Sequence, residues 1–234
     1  MKHRITVLVI AALFVLTLGA CTKEEAPKGA NANFGKGASD IYIYNDLAVQ
    51  DVAIADFDTS KYDKDEYLSY LQEEIDAYNQ SASFVPQTAA EGEENFTPHY
   101  TVPVSVASCT VSDNKLNQQI LYATAADFVQ YNQEFLEAER GGYTLQAGKL
   151  AFADASVTGA SLIDPDNKEG GTLNVQEILT GKNADRYRYV ICNFNAVLYG
   201  DGEVAGYTSN GSYNADLDCV TVPAGQTVVV VFKQ

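Results

Sequence analysis

Runs of β-branched and aromatic residues set the tightest limit on what this chain folds into. IYIY from Ile41, TVPVSVASCTV from Thr101, NQQILYA from Asn117, YVICNFNAVLY from Tyr189 and TVVVVFK near the end read as strands, because such side chains fit a pleated, half-buried surface. Asp113-Asn114, Asp201-Gly202 and Asn210-Gly211 separate them with residues that reach positive φ cheaply. Only two segments carry a helical period. In DKDEYLSYLQEEIDAYNQ, Asp63 and Glu66 form a capping pair, and Leu68, Leu71, Ile75 and Tyr78 mark one apolar side opposite Glu73, Glu74 and Asp76. The second helix opens at Thr124 with Asp127 as its partner, runs through Phe128, Tyr131 and Phe135, and stops at Gly141-Gly142. Strands and helices do not alternate strictly, so the expected class is α+β, a mainly antiparallel β-sheet with two amphipathic helices.

The N-terminus obeys a different rule. Lys2, His3 and Arg4 precede an apolar run from Ile5 to Leu18, broken only by Thr6 and Thr17. This is the layout of a secretory signal peptide. It is shorter than the roughly 20 apolar residues that a membrane-spanning helix needs. The run ends in Leu18-Gly19-Ala20-Cys21, after which the chain turns charged.

Those four residues resemble the lipobox of bacterial lipoproteins. The resemblance implies a diacylglyceryl group on the sulfur of Cys21, cleavage just before it, and an extracytoplasmic protein anchored in the cell membrane. Two acyl chains make such an anchor durable where one is marginal. Thr22 to Asp40 is rich in Lys, Glu, Ala, Gly and Asn and reads as a flexible tether, with a typical reach of roughly 25 Å. The expected division is residues 1–20 as signal peptide, 21–40 as lipidated cysteine and tether, and 41–234 as one globular domain. Within that domain, the order of the helix ending in DAYNQ, a hairpin, and YATAADFVQYNQ is similar to uncharacterised lipoproteins of clostridial gut bacteria. That likeness implies no residue roles.

Without residues 1–20 the chain holds 13 basic and 31 acidic side chains, a formal charge of −18. Such a charge repels phosphate backbones and argues against nucleic acid as a partner. It also works against contact with an anionic membrane.

Cys109, Cys192 and Cys219 remain, an odd number in an exported chain. Cys192 and Cys219 both lie in strand-like runs, so a cross-strand disulfide between them is one expectation and three small buried hydrophobes the other. No CxxC is present, so neither redox chemistry nor a zinc site is indicated.

Catalytic patterns are scarce. His99 is the single histidine beyond residue 20, which removes HExxH and leaves one base with no GxSxG nucleophile to serve. A solvated or locally bonded role is expected for it. GDGEVAG from Gly200 lacks the Lys and Ser/Thr of a phosphate loop and reads as a hairpin. DPDNKEGG, Asp164 to Gly171, offers Asp164, Asp166 and Glu169 as weak calcium ligands. Lys168 and Glu169 break the EF-hand spacing there, and a turn at Asp164-Pro165 explains the same residues. No cofactor is indicated.

Tyr187, Tyr189, Tyr199, Tyr207 and Tyr213 cluster around the late strands and offer a partner surface, although strands favour tyrosine anyway. The absence of tryptophan tells mildly against a carbohydrate module. The expectation is a lipid-anchored envelope protein that binds a protein, peptide or glycan without catalysis. The alternatives are an extracellular hydrolase with paired carboxylates and a solute-binding protein.

Overall fold

A computed structural model describes residues 39–85, 98–132, 143–167 and 170–234. They form an α+β fold dominated by sheet, with strands in two mostly antiparallel sheets. The strands are β1 Ser39–Ile43, β2 Val49–Asp56, β3 Val104–Ser112, β4 Lys115–Tyr122, β5 Leu145–Lys149, β6 Leu162–Ile163, β7 Tyr187–Cys192, β8 Ala196–Gly200, β9 Glu203–Thr208, β10 Ser212–Asn214, β11 Cys219–Val222 and β12 Val228–Lys233. Seven lie in the order β10-β11-β8-β1-β2-β4-β3 and five in the order β5-β7-β12-β9-β6. The pairing of β1 with β8 is parallel.

Local chemistry explains several elements directly. Asp113 and Asn114 adopt φ 50° and 58°, the mirror-image turn that closes a two-residue hairpin, and Ser112 pairs with Lys115 across it. Helix α1, Lys64–Ser81, starts where Asp63 accepts the amides of Asp65 and Glu66. It buries Leu71 and Ile75, each stabilising by roughly 2 kcal/mol. Near its end Asn79 bonds both the N–H and the C=O of Val104, at 2.9 and 2.8 Å, and so takes the place of a further strand at the β3 edge. Helix α2, Ala125–Tyr131, is capped by Thr124, which accepts the Asp127 amide and donates to its carboxylate. The expected continuation through Phe135 to Gly141-Gly142 lies outside the described residues. Two short helices, α3 Ala155–Thr158 and α4 Val175–Thr180, follow.

One core joins the layers. Ile41, Ile43, Val49, Leu198 and Val220 of the larger sheet meet Val190, Cys192, Val228, Val230 and Phe232 of the smaller, with Leu71, Ile75 and Phe128 from the helices. On the far side of the smaller sheet, Ile191, Val229 and Val231 pack against Leu150, Val157, Leu162 and Val175. β12 is therefore buried on both faces, which accounts for its unbroken valines.

Three expectations need correction. YVICNFNAVLY is two strands, β7 and β8, in different sheets; Asn193 breaks it by accepting the Thr144 amide at 2.6 Å. GDGEVAG is not a hairpin, because Asp201-Gly202 carries the chain from one sheet to the other; Asn210-Gly211 turns the chain as expected, with Gly211 N–H donating to the Thr208 carbonyl at 2.9 Å, and likewise joins the two sheets. The glycines around Asp201 answer to close approach instead: a Cβ on Gly200 would stand 2.6 Å from the Phe232 ring, and one on Gly202 2.1 Å from the Lys233 carbonyl oxygen. Finally, Cys192 and Cys219 are free thiols rather than a disulfide. They lie in different sheets, Cys192 opposite Leu145 and Val228 and Cys219 opposite Asn214. Burial pushes the Cys192 thiol up to about 12 and raises Cys219 as well, so both are poor nucleophiles.

Candidate functional site

A connected polar arrangement stands at the turn between β1 and β2. Tyr44 N–H donates to the Ala48 carbonyl and Leu47 N–H to that of Tyr44. Leu47 takes φ 69° to close the turn, a left-handed conformation that costs a leucine about 1 kcal/mol. Asp46 is buried and holds the turn from within. One carboxylate oxygen accepts the Ala48 amide at 3.1 Å, and the other accepts both the His99 amide and His99 Nδ1 at 2.9 Å each. A carboxylate only accepts, so Nδ1 is the donor, and in the neutral ring Nε2 is the nitrogen that presents a lone pair. Nε2 has no hydrogen-bond partner among the described residues, and the His99 side chain is 44% exposed.

Aromatic and amide groups extend this corner. The His99 ring stacks on Tyr44 with centroids 4.1 Å apart and planes 17° apart. Tyr44 hydroxyl donates to Gln50 Oε1, and Gln50 Nε2 donates to Gln119 Oε1 at 2.9 Å. From the other side, Asn45 N–H donates to Asp201 at 2.8 Å, and Arg188 Nε donates to the Asn45 carbonyl at 3.1 Å. Asp46 and His99 have the form of the base and orienting acid of a catalytic triad. No serine, threonine or cysteine among the described residues bonds Nε2, so the pair can bind, or can accept a proton from an incoming group, without itself forming a covalent intermediate.

Two further carboxylates stand out on the same strands. Burial pushes Asp40 up to about 7. Burial, reinforced by the charge of Asp40, pushes Asp51 up to about 7 as well. One oxygen of each is buried with no partner among the described residues. The register pairs Asp40 with Val52 and Ile41 with Asp51, so the two side chains leave opposite faces of the sheet. They do not flank a common cleft as a glycosidase pair must. Asp51 enters the core beside Ile41 and Ile120.

Other expected site residues are dispersed. Asp164 accepts the Asp166 amide at 2.9 Å within a turn closed by Asp164 and Gly171; Glu169 lies outside the described residues, as do Leu18, Gly19, Ala20 and Cys21. The five tyrosines do not share one surface. Tyr187 and Tyr189 pack on the outer cluster of the smaller sheet, Tyr199 stacks on Tyr42 in the larger one at 4.6 Å, and Tyr207 stacks on Tyr213 at 5.8 Å. Sequence reasoning missed Tyr44, Asp46, Gln50 and Gln119. The one local signal was the polar Tyr-Asn-Asp run after a strand.

No protein-family model matches the chain, and neither curated proteins nor solved structures give a match.

Proposed function

We propose that this chain is a lipid-anchored protein of the extracytoplasmic face of a bacterial cell membrane, whose α+β domain binds an envelope protein, peptide or glycan without altering it chemically. The basic start, the apolar run and Leu18-Gly19-Ala20-Cys21 support the anchor. The observation that carries the binding half is the locked Tyr44–His99 stack beside the Gln50–Gln119 amides. Both rings are partly exposed and pre-set by Asp46, so little side-chain freedom is lost when a partner covers them.

The test has two arms. Mass spectrometry of the exported protein is expected to find a diacylglyceryl thioether at Cys21; a bare thiol overturns the anchor. Calorimetric titration with envelope glycans, peptides and secreted proteins is expected to yield a ligand whose affinity falls at least about tenfold in Tyr44→Ala. Hydrolysis of any of them, abolished by changing an aspartate, overturns the non-catalytic reading.

A further inference from the structure

We propose that β3 pairs edge to edge with β3 of a second copy of this chain, antiparallel and centred on Thr110, so that two seven-stranded sheets become one. Such a pairing goes beyond ligand binding and rests on neither the anchor nor the Tyr44 corner. β3 is the longest strand, nine residues, and lies at one edge of its sheet, whereas β10 at the other edge has three. Asp113-Asn114 is a two-residue turn, so Ser112 and Lys115 are a hydrogen-bonded pair, and Thr110 and Ser108 bond β4 in the same way. The N–H and C=O of Cys109 and Val111 therefore point away from β4, and no group among the described residues bonds them.

Half of this edge is closed. Towards its start Asn79 takes both outward groups of Val104, and a bulge interrupts the ladder between Val106 and Ser108. Both devices keep a neighbouring strand off. From Ser108 to Ser112 the ladder is regular, and it stops at the Asp113-Asn114 turn. The side chains of Cys109 and Val111 pack on Ala55, Phe57, Leu116 and Tyr67, which holds the open stretch in place. Thr110 and Ser112 are exposed.

The length and charge of that stretch select the occupant. Its midpoint is Thr110. A copy related by a two-fold axis there sets Cys109 of each chain against Val111 of the other, so the outward N–H and C=O of both residues are satisfied. Thr110 meets its own twin, a cross-strand pair that hydroxyls favour. The partner strand then ends at its own turn, with Asp113 opposite Ala107, at the point where the bulge begins. A longer foreign strand would run on into the bulge and Asn79. Charged residues make up 20% of the chain, yet none of the nine in β3. An acidic or basic partner gains nothing from a neutral edge, whereas a second copy brings an equally neutral one. Asp113 does not face its twin, and screening confines the more distant acids to about 10 Å, so the acidity of the chain does not forbid the contact.

Residues opposed in a non-hydrogen-bonded pair have Cα atoms about 4.5 Å apart, within reach of a disulfide. The full-length chain carrying Cys109→Ser and Thr110→Cys is prepared in mild detergent and oxidised. The expected result is a disulfide-linked dimer, with the bridge located by mass spectrometry at the substituted position 110. Ser112→Cys in the Cys109→Ser background sets its twin thiols roughly 13 Å apart along the strands and is expected to form no bridge. Thr110→Lys places like charges opposite each other and is expected to weaken dimerisation at least about tenfold in sedimentation, with an unchanged circular dichroism spectrum because Thr110 is exposed. A parent that sediments as one chain at every concentration overturns the pairing. So does a bridge that forms as readily at 112 as at 110. A dimer that survives Thr110→Lys and forms no bridge at 110 joins its copies through another surface and overturns the pairing too.

Discussion

Asp46 and Asp51 lie on the same hairpin and are both buried, yet one is fully answered by its surroundings and the other is not. Asp46 accepts two backbone amides and an imidazole N–H. Asp51 enters the hydrophobic core with an orphaned oxygen, and burial pushes it up to about 7. The difference teaches that burial alone does not decide whether a carboxylate supports a fold; the donors aimed at it do.

The largest effect that follows is a pH dependence of stability. An unfolded aspartate titrates near 4, whereas Asp51 in the fold titrates about 7. The folded state therefore keeps the proton more tightly, and stability is highest below pH ~4, falls as pH rises through the window to about 7, and stays low above it. Three units correspond to about 4 kcal/mol as an upper bound. Asp51→Asn removes this loss and is expected to be about 2 kcal/mol more stable than the parent at pH 8. Urea unfolding at pH 4.5 and 8 measures both. Asp40 shifts the same way, so some slope persists in the variant. Parent stability that rises over this window contradicts the assignment of Asp51 as a buried, unanswered acid.

Asp46 has the opposite sign. Asp46→Ala strips the partner from the Ala48 and His99 amides and from the imidazole, and a loss of about 3 kcal/mol is expected at neutral pH. Protection of those two amides against hydrogen exchange should collapse with it. Amides that stay protected in the variant show that the turn holds without the carboxylate.

How far this contrast could be read in the sequence follows from the range of the forces involved. Asp63, Thr124 and the Asp113-Asn114 turn act on backbone groups within three residues, so their roles were legible. Asp201-Gly202 carried the same kind of turn signal for a different reason: its glycines make room for Phe232 and Lys233, some thirty residues away in the chain. The late tyrosines suggested one surface because they are close in sequence, but β7, β8 and β9 change sheets at each connection and scatter them. The pairing of Asp46 with His99 spans 53 positions, and nothing local to either residue announces it. Asp51 was hidden by its ordinary alternation with apolar neighbours, which reads equally well as a solvent-facing position.

Leu47 offers the smallest effect and the finest test of what Asp46 does. Its φ of 69° suits asparagine better than leucine, and Leu47→Asn is expected to raise stability by about 0.5–1 kcal/mol by easing the turn. If Asp46 imposes that conformation through its bonds to Ala48 and His99, the turn can relax once the carboxylate is gone. The gain from Leu47→Asn should then shrink by at least half in the Asp46→Ala background, a coupling that a double-mutant cycle in urea resolves. An equal gain in both backgrounds means that the register of β1 against β2 sets the turn by itself. Asp46 would then serve chiefly to hold His99 against Tyr44.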